Sequence, residues 1–330
     1  MTETSVQDPP PPLATVRGPA AALVEALTAG LVGHEALVER LVIALLVGGH
    51  VLIEGPPGVA KTRAVKRLAD GVEGEFARIQ CTPDLMPGDV IGIQVFRPER
   101  GVTEFMAGPV FHHLVLVDEI NRAPPKVQSA LLEAMAERQV TVGGVTRRLP
   151  DPFMVVATQN SIEHEGTFPL PEAQLDRFLC HVMVDLPGAA TELAILDLVE
   201  SEGGDRAGEV REHVSHEALT RMREAVAAVH LAPAVKDYIV RLVVATREEG
   251  TAGIAGRVGH AVSPRGTLAL AASSRARAFL AGRDYVIPED VAALAPDVLA
   301  HRLVPTWRAT ADGETSRGLI AAVLGAVRPL

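Results

Sequence analysis

The chain has 330 residues, 48% hydrophobic and 22% charged, a composition that buries a large core and is compatible with two domains. A formal net charge of -10 argues against non-specific wrapping of nucleic acid, because phosphate backbones demand a dense Lys/Arg face. The two cysteines, Cys81 and Cys180, both lie beside apolar segments, which fits reduced core thiols in a cytoplasmic protein rather than a disulfide framework.

In chain order, the opening "MTETSVQDPPPPLATVRGP" carries acidic residues and four consecutive prolines where a secretory leader needs a basic end and an apolar run. Residues 1–16 are therefore expected to form a flexible tail. The most apolar segment, "LVIALLVGGHVLI" at 41–53, is too short for a bilayer and is interrupted by Gly48, Gly49 and His50. It divides into a helix end, a turn and a first core strand, and no direct membrane insertion is expected. The runs "HVLIEG", "FARIQC", "HLVLVDE", "FMVVATQN" and "CHVMVDLP" are short and nearly continuously apolar. Such runs suit strands covered by helices on both faces, as in a parallel α/β sheet. Between them, "FRPERGVTEFMAGPVF" (96–111) and "ERQVTVGGVTRRLPDPF" (137–153) each alternate around a glycine-containing turn and read as hairpins, the Gly143-Gly144 turn being the clearer.

After "DLPG" (185–188) the character changes, and from Thr191 onward only amphipathic helical patterns follow, such as "SHEALTRMREAVAAV" and "IPEDVAALAPDVLAHRL". Ser215 ahead of His216 and Glu217, and Pro288 ahead of Glu289 and Asp290, are helix-start signals. The division expected is an α/β domain over 17–188 and a helical domain over 189–330.

The chemistry begins at "GPPGVAKT", Gly55, Pro56, Pro57, Gly58, Val59, Ala60, Lys61 and Thr62, between a strand and a helix. In a phosphate-binding P-loop the backbone N–H groups wrap the phosphates, the lysine spans the outer ones and the hydroxyl after it ligates Mg²⁺. The pattern G-x-x-x-x-G-K-[ST] asks for glycine where this chain has Ala60. A residue entering a helix has negative φ, so alanine is expected to sit there without strain. An ordinary Gly-Pro turn before a helix would read the same way. "HLVLVDEINRAPP" places Asp118 and Glu119 at the carboxyl end of an apolar strand, where α/β sheets carry their sites. Asp118 suits Mg²⁺ and Glu119 suits a water-orienting carboxylate, against the alternative of a solvated acidic turn. Asn160, ending "FMVVATQN", can hold the attacking water or a γ-phosphate, with Gln159 as the weaker candidate.

Lys61-Thr62, Asp118-Glu119 and Asn160, followed by "EGTFPLPEAQLDRF" and by "SPR" in the helical part, resemble an AAA+ ATPase of the MoxR family. The resemblance runs over about residues 31–303, and "DEINRAPPK" and "FPLPEAQLDRF" are its most specific stretches. It implies a P-loop AAA+ core with a parallel five-stranded sheet, two hairpin insertions lining a central pore, and a C-terminal all-α lid domain. It also implies ATP hydrolysis with Mg²⁺ in a homo-oligomeric ring, a hexamer, that remodels or matures client proteins, including metal or cofactor insertion with a von Willebrand factor A domain partner. By the same resemblance Arg177 in "LDRF" is an arginine finger reaching the neighbouring subunit's ATP, and Arg265 in "SPR" is a sensor-2 arginine. From the residues alone, Arg177 fits equally an ion pair with Asp176 or a neighbour, and Arg265 a solvated charge at a helix start. The family often accepts alanine before the lysine, whereas Ser161 stands where many relatives have proline.

The same motor residues would serve a magnesium-chelatase-like or gas-vesicle ATPase subunit, or a nucleotide-dependent scaffold, although Glu119 and Arg177 weigh against the last. A nucleic-acid motor or transcriptional activator is disfavoured by the acidic balance, scarce aromatics and lack of a GAFTGA loop. His112, His113 and His164 are too scattered to suggest a metal site.

Overall fold

The computed structural model describes residues 13–161, 166–202, 213–247 and 254–329. Helices Leu13–Ala29 and Glu35–Val47 come first, so residues 13–16 are helical rather than part of a tail; residues 1–12 lie outside the described residues. The second helix stops where Gly48 takes a left-handed φ of 74° and its N–H reaches back to the Ala44 and Leu45 carbonyls.

Five strands follow: β1 (Val51–Gly55), β2 (Phe76–Gln80), β3 (Leu114–Asp118), β4 (Met154–Asn160) and β5 (Cys180–Met183). They form one fully parallel sheet in the order β2-β3-β4-β1-β5. Successive strand residues point to opposite faces, and the apolar runs split accordingly. Val51, Ile53, Leu116 and Val156 join a core with helices Leu13–Ala29 and Glu35–Val47 and the C-terminal helices. Leu52, Val115, Val117 and Val155 join a second core under helix Pro125–Glu137. Burial on both faces is thus the reason the runs of β1, β3 and β4 lack alternation, while the edge strand β2 buries only Ile79.

The chain leaves β1 toward β2 on one side, but leaves β4 toward β5 on the other, so the crevice at the carboxyl ends of β1 and β4 is a topological switch point. Register places Gly55 opposite Asn160 and Gln80 opposite Asp118, aligning the strand ends that carry chemistry.

Both hairpins are present, with one shift. The second pairs Gln139–Val142 with Val145–Arg148 through Gly143 and Gly144, both at positive φ, as a two-residue turn of matching twist requires. The first pairs Gly92–Arg97 with Val102–Ala107, so it turns near Gly101 and begins ahead of Phe96. Phe105 is packed, its ring 5.5 Å from Phe111 with the Arg147 guanidinium 3.9 Å above it, whereas Phe96 is 61% exposed.

The C-terminal part is helical, with Ala189–Glu202, His216–Ala228, Pro233–Ala245, Pro264–Leu280, Pro288–Leu299 and Ser316–Ala326 as its longer members. Ser215 Oγ accepts the Ala218 N–H at 3.1 Å, which is the cap its sequence position predicts. The region is not wholly α, since Val258–His260 pairs antiparallel with Val304–Pro305. Among the described residues no helix is long and apolar enough to cross a membrane.

Candidate nucleotide site

The loop from Gly55 to Ala60 joins β1 to helix Lys61–Asp70 at the switch point. A Cβ at Gly55 would stand 2.3 Å from the Val184 carbonyl oxygen, and Gly58 holds φ at 86°, so neither position accepts a side chain without rearrangement. Ala60 departs from expectation. It is the residue before the helix, not its first turn, and its φ is 56°. The left-handed conformation costs a non-glycine residue about 1–2 kcal/mol, which explains why glycine is the pattern's residue there.

Lys61 is buried, and its ammonium donates to Asn160 Oδ1 at 2.9 Å, to the Pro56 and Gln159 carbonyls at 3.2 Å each, and to the Gly55 carbonyl. The cation is fixed across the mouth of the loop. Beside it, Thr62 Oγ1 donates to Asp118 Oδ2 at 3.2 Å. Asp118 is also buried, receiving Thr158 Oγ1 on Oδ1 at 2.5 Å and Arg78 Nη2 and Nε on Oδ2 at 2.7 and 3.2 Å.

Glu119 turns out of the strand at φ 59° and ψ 52°, with its N–H on Thr158 Oγ1 at 3.0 Å. Its carboxylate accepts Asn160 Nδ2 at 3.1 Å on Oε1, and Gln80 Nε2 and Arg122 Nη1 at 3.1 and 3.2 Å on Oε2. Asn160 therefore bridges Lys61 and Glu119, amide oxygen to the cation and amide nitrogen to the carboxylate, the orientation that satisfies both charges. Gln159 contributes through its backbone carbonyl.

A cavity of about 240 Å³ opens beside the loop, lined by Leu31, His34, Val59, Arg63, Leu186 and Ile195 among others. Burial lowers the His34 pKa, with Glu35 opposing, so the imidazole presents its neutral form to this space. Mainly apolar walls with His34, Arg63 and Glu192 as polar tips, set against a glycine-rich loop, suit a flat heterocycle.

The two arginines of the resemblance lie elsewhere. Arg177 Nη1 donates to the Leu132 carbonyl at 3.0 Å. Arg265 stands 3.7 Å from Asp176, the residue next to Arg177, and its side chain is 61% exposed. His112 and His113 are engaged locally, with the Pro109 carbonyl at 2.9 Å and the Glu75 N–H at 3.1 Å, and His164 is outside the described residues. Both cysteines are free and buried, their thiols pushed up to about 12 by burial.

Arg78, Gln80 and Thr158 were not apparent as site residues. A signal did exist: Arg78 and Gln80, two apart in "FARIQC", share the strand face opposite the apolar Ile79 and approach the carboxyl end.

A lysine-bearing glycine loop set against two strand-end carboxylates, with a helical domain packed behind the sheet, defines a P-loop ATPase core of the lidded AAA+ class. Residues 50–180 match the model of the ATPase family associated with various cellular activities (AAA), and 254–322 match the AAA lid domain. The chain is 47% identical over 300 residues to Chaperone MoxR1 of Mycobacterium tuberculosis, covering 90% of this chain and 78% of that protein. It is 34% identical to Protein MoxR of Methylorubrum extorquens, covering 87% and 88% of the two chains. A solved structure from Cytophaga hutchinsonii superimposes with a TM-score of 0.86 at 38% identity, over 96% of each chain. The chain belongs to the MoxR family of AAA+ ATPases.

Proposed function

We propose that this chain hydrolyses ATP with Mg²⁺ at the switch-point crevice, as a subunit of a homo-oligomeric ring, a hexamer by family analogy, that remodels or matures client proteins. The observation that carries the reading is the Asn160 bridge between Lys61 and Glu119, because it sets the phosphate-binding cation and the candidate base in one fixed frame.

In this reading residues 55–60 wrap the phosphates with backbone N–H groups and Lys61 binds the outer ones. Thr62 Oγ1 and the Asp118 carboxylate are hard oxygen donors 3.2 Å apart, the kind Mg²⁺ takes together with phosphate and water. They would hold the ion, which when bound neutralises charge on the phosphates. Glu119 accepts a proton from the attacking water while Asn160 orients both, since phosphoryl transfer depends on positioning and charge stabilisation. We assign Arg177 to the γ-phosphate of a neighbouring subunit's nucleotide and Arg265, which stands on the lid 3.7 Å from Asp176, to sensing the γ-phosphate from the lid. The exposed apolar residues Ile93, Phe96 and Met106 of the first hairpin give the ring a surface for unfolded or partly folded clients. A von Willebrand factor A domain partner and a role in metal or cofactor insertion follow from the same family reading.

Steady-state ATPase activity against protein concentration, with Mg²⁺ and with light scattering to follow assembly, tests the proposal. Specific activity should climb with assembly, and Arg177→Ala should assemble without turning over. Mixing Arg177→Ala with Glu119→Gln subunits should restore part of the activity, because some interfaces then join an intact arginine to an intact Glu119. Activity independent of assembly, or no recovery at any mixing ratio, refutes the shared site.

A further inference from the structure

Asp176 links the short helix Glu172–Leu175 to Arg177, and three side chains of the lid converge on its carboxylate. Arg302 Nε donates to Oδ1 at 2.9 Å, Ser263 Oγ lies 3.3 and 3.4 Å from Oδ2 and Oδ1, and Arg265 Nη1 stands 3.7 Å from Oδ2. The two arginine contacts differ in kind. The Arg302 side chain is 3% exposed and also donates to the Asp176, Phe178, Leu179 and Val298 carbonyls, which makes it a fixed strut between lid and β5. Arg265 is mostly exposed and beyond hydrogen-bonding distance, so charge attraction alone keeps it there.

We infer that Asp176 is a holding carboxylate for Arg265: it keeps the lid arginine docked on its own carboxylate until the γ-phosphate of a nucleoside triphosphate takes the guanidinium over. The inference rests on the reading of Arg265 as a phosphate-binding arginine. A terminal phosphate offers more charge and three acceptor oxygens, so it outcompetes a single carboxylate for the guanidinium fork. Arg302 and Ser263 retain Asp176 in place, so Arg265 can change partner without the lid coming away from β5. Triphosphate binding must then break an exposed ion pair, a handicap of about 1.5- to 5-fold in affinity. A diphosphate lacks the group that draws Arg265 away and carries no such handicap.

Equilibrium binding of Mg²⁺ complexes of AMP-PNP and ADP to the assembled protein tests this. Asp176→Asn should raise AMP-PNP affinity about 1.5- to 5-fold and leave ADP affinity unchanged. Arg265→Ala should weaken AMP-PNP binding, and adding Asp176→Asn to it should change nothing further. Because Arg302 is buried against Asp176, Asp176→Asn/Arg302→Gln is measured alongside; it removes the buried pair together, leaves no uncompensated charge, and should show the same rise. If Arg265→Ala leaves AMP-PNP affinity unaltered, the phosphate role fails and the holding role falls with it. If Arg265→Ala weakens binding but neither Asp176 variant strengthens it, or the gain persists without Arg265, the holding role alone is overturned.

Discussion

Asn160→Ala should cost turnover and spare nucleotide binding. The amide makes two contacts, accepting from Lys61 at 2.9 Å and donating to Glu119 at 3.1 Å. Truncation strands neither partner, since Lys61 keeps the carbonyls of Gly55, Pro56 and Gln159, and Glu119 keeps Gln80 and Arg122. On the proposed mechanism, what is lost is alignment between the cation assigned to the phosphates and the carboxylate assigned to the attacking water. A hydrogen bond to a charged group contributes about 1.5–3 kcal/mol, and one such bond on the barrier lowers kcat by roughly 10- to 150-fold. The loop's N–H groups and Lys61 remain, so AMP-PNP affinity should move by no more than a few-fold. Asn160→Asp is the sharper partner variant, because it preserves shape while setting a second carboxylate against Glu119, and should lower kcat at least as far. Steady-state kinetics at saturating ATP and Mg²⁺, beside AMP-PNP binding, read both effects. A kcat within about threefold of the unmutated protein, or an affinity loss as large as the kcat loss, would refute the bridging role.

Acidification should destabilise the fold through His50, whose pKa burial lowers from 6.5 to about 4 while its ring accepts the Val155 N–H at 3.0 Å and lies 3.2 Å from the Met135 carbonyl. The unfolded chain then binds more protons between those values, so stability present above pH 6.5 declines by up to about 3 kcal/mol as pH falls toward 4. Urea unfolding at pH 7.5 and pH 5 should show the loss, and His50→Gln should flatten it; equal slopes in the two proteins would remove His50 from the account. Ala60→Gly should stabilise the chain slightly, because relief of about 1–2 kcal/mol of left-handed strain exceeds the roughly 0.4–1 kcal/mol of added unfolded-chain entropy. A clear drop in the unfolding midpoint would show that the Ala60 methyl packs better than its φ suggests.

The central strands β1, β3 and β4 were legible because they are buried on both faces, so each reads as an apolar run ending in polar groups, whereas the edge strands β2 and β5 carry Arg78, Gln80 and His181 on less buried positions. The catalytic candidates of β1, β3 and β4 could be named for the same reason. Three features were not legible, each on a separate physical ground. Ala60 has an unremarkable side chain, and nothing in its identity reports a φ of 56°. The first hairpin turns near Gly101 but starts ahead of the alternating stretch, with Gly92 paired to Ala107. At Gly92, φ is 94° and an added Cβ would stand 2.4 Å from the Met106 carbonyl oxygen, a close approach that the alternating pattern does not report. The convergence of Arg302 and Arg265 on Asp176 joins positions 126 and 89 residues apart, and only the docking of the lid brings them together.

The adjacency of Asp118 and Glu119 in sequence is by itself poor evidence for a shared site, and local backbone geometry is what brings the two carboxylates together. In an extended strand consecutive side chains point to opposite faces, so two neighbouring carboxylates would diverge across the sheet. Glu119 avoids this by leaving the strand at φ 59°. That turn brings its N–H onto the Thr158 hydroxyl whose proton goes to Asp118, and swings its carboxylate to Asn160 on the adjacent strand. The conformation costs about 1–2 kcal/mol, and glycine would remove that cost together with the carboxylate. The strained conformation is held by the Glu119 N–H donated to Thr158 Oγ1 and by hydrogen bonds that its carboxylate accepts from Asn160, Gln80 and Arg122, and the proposed role of that carboxylate supplies a reason for a non-glycine residue there.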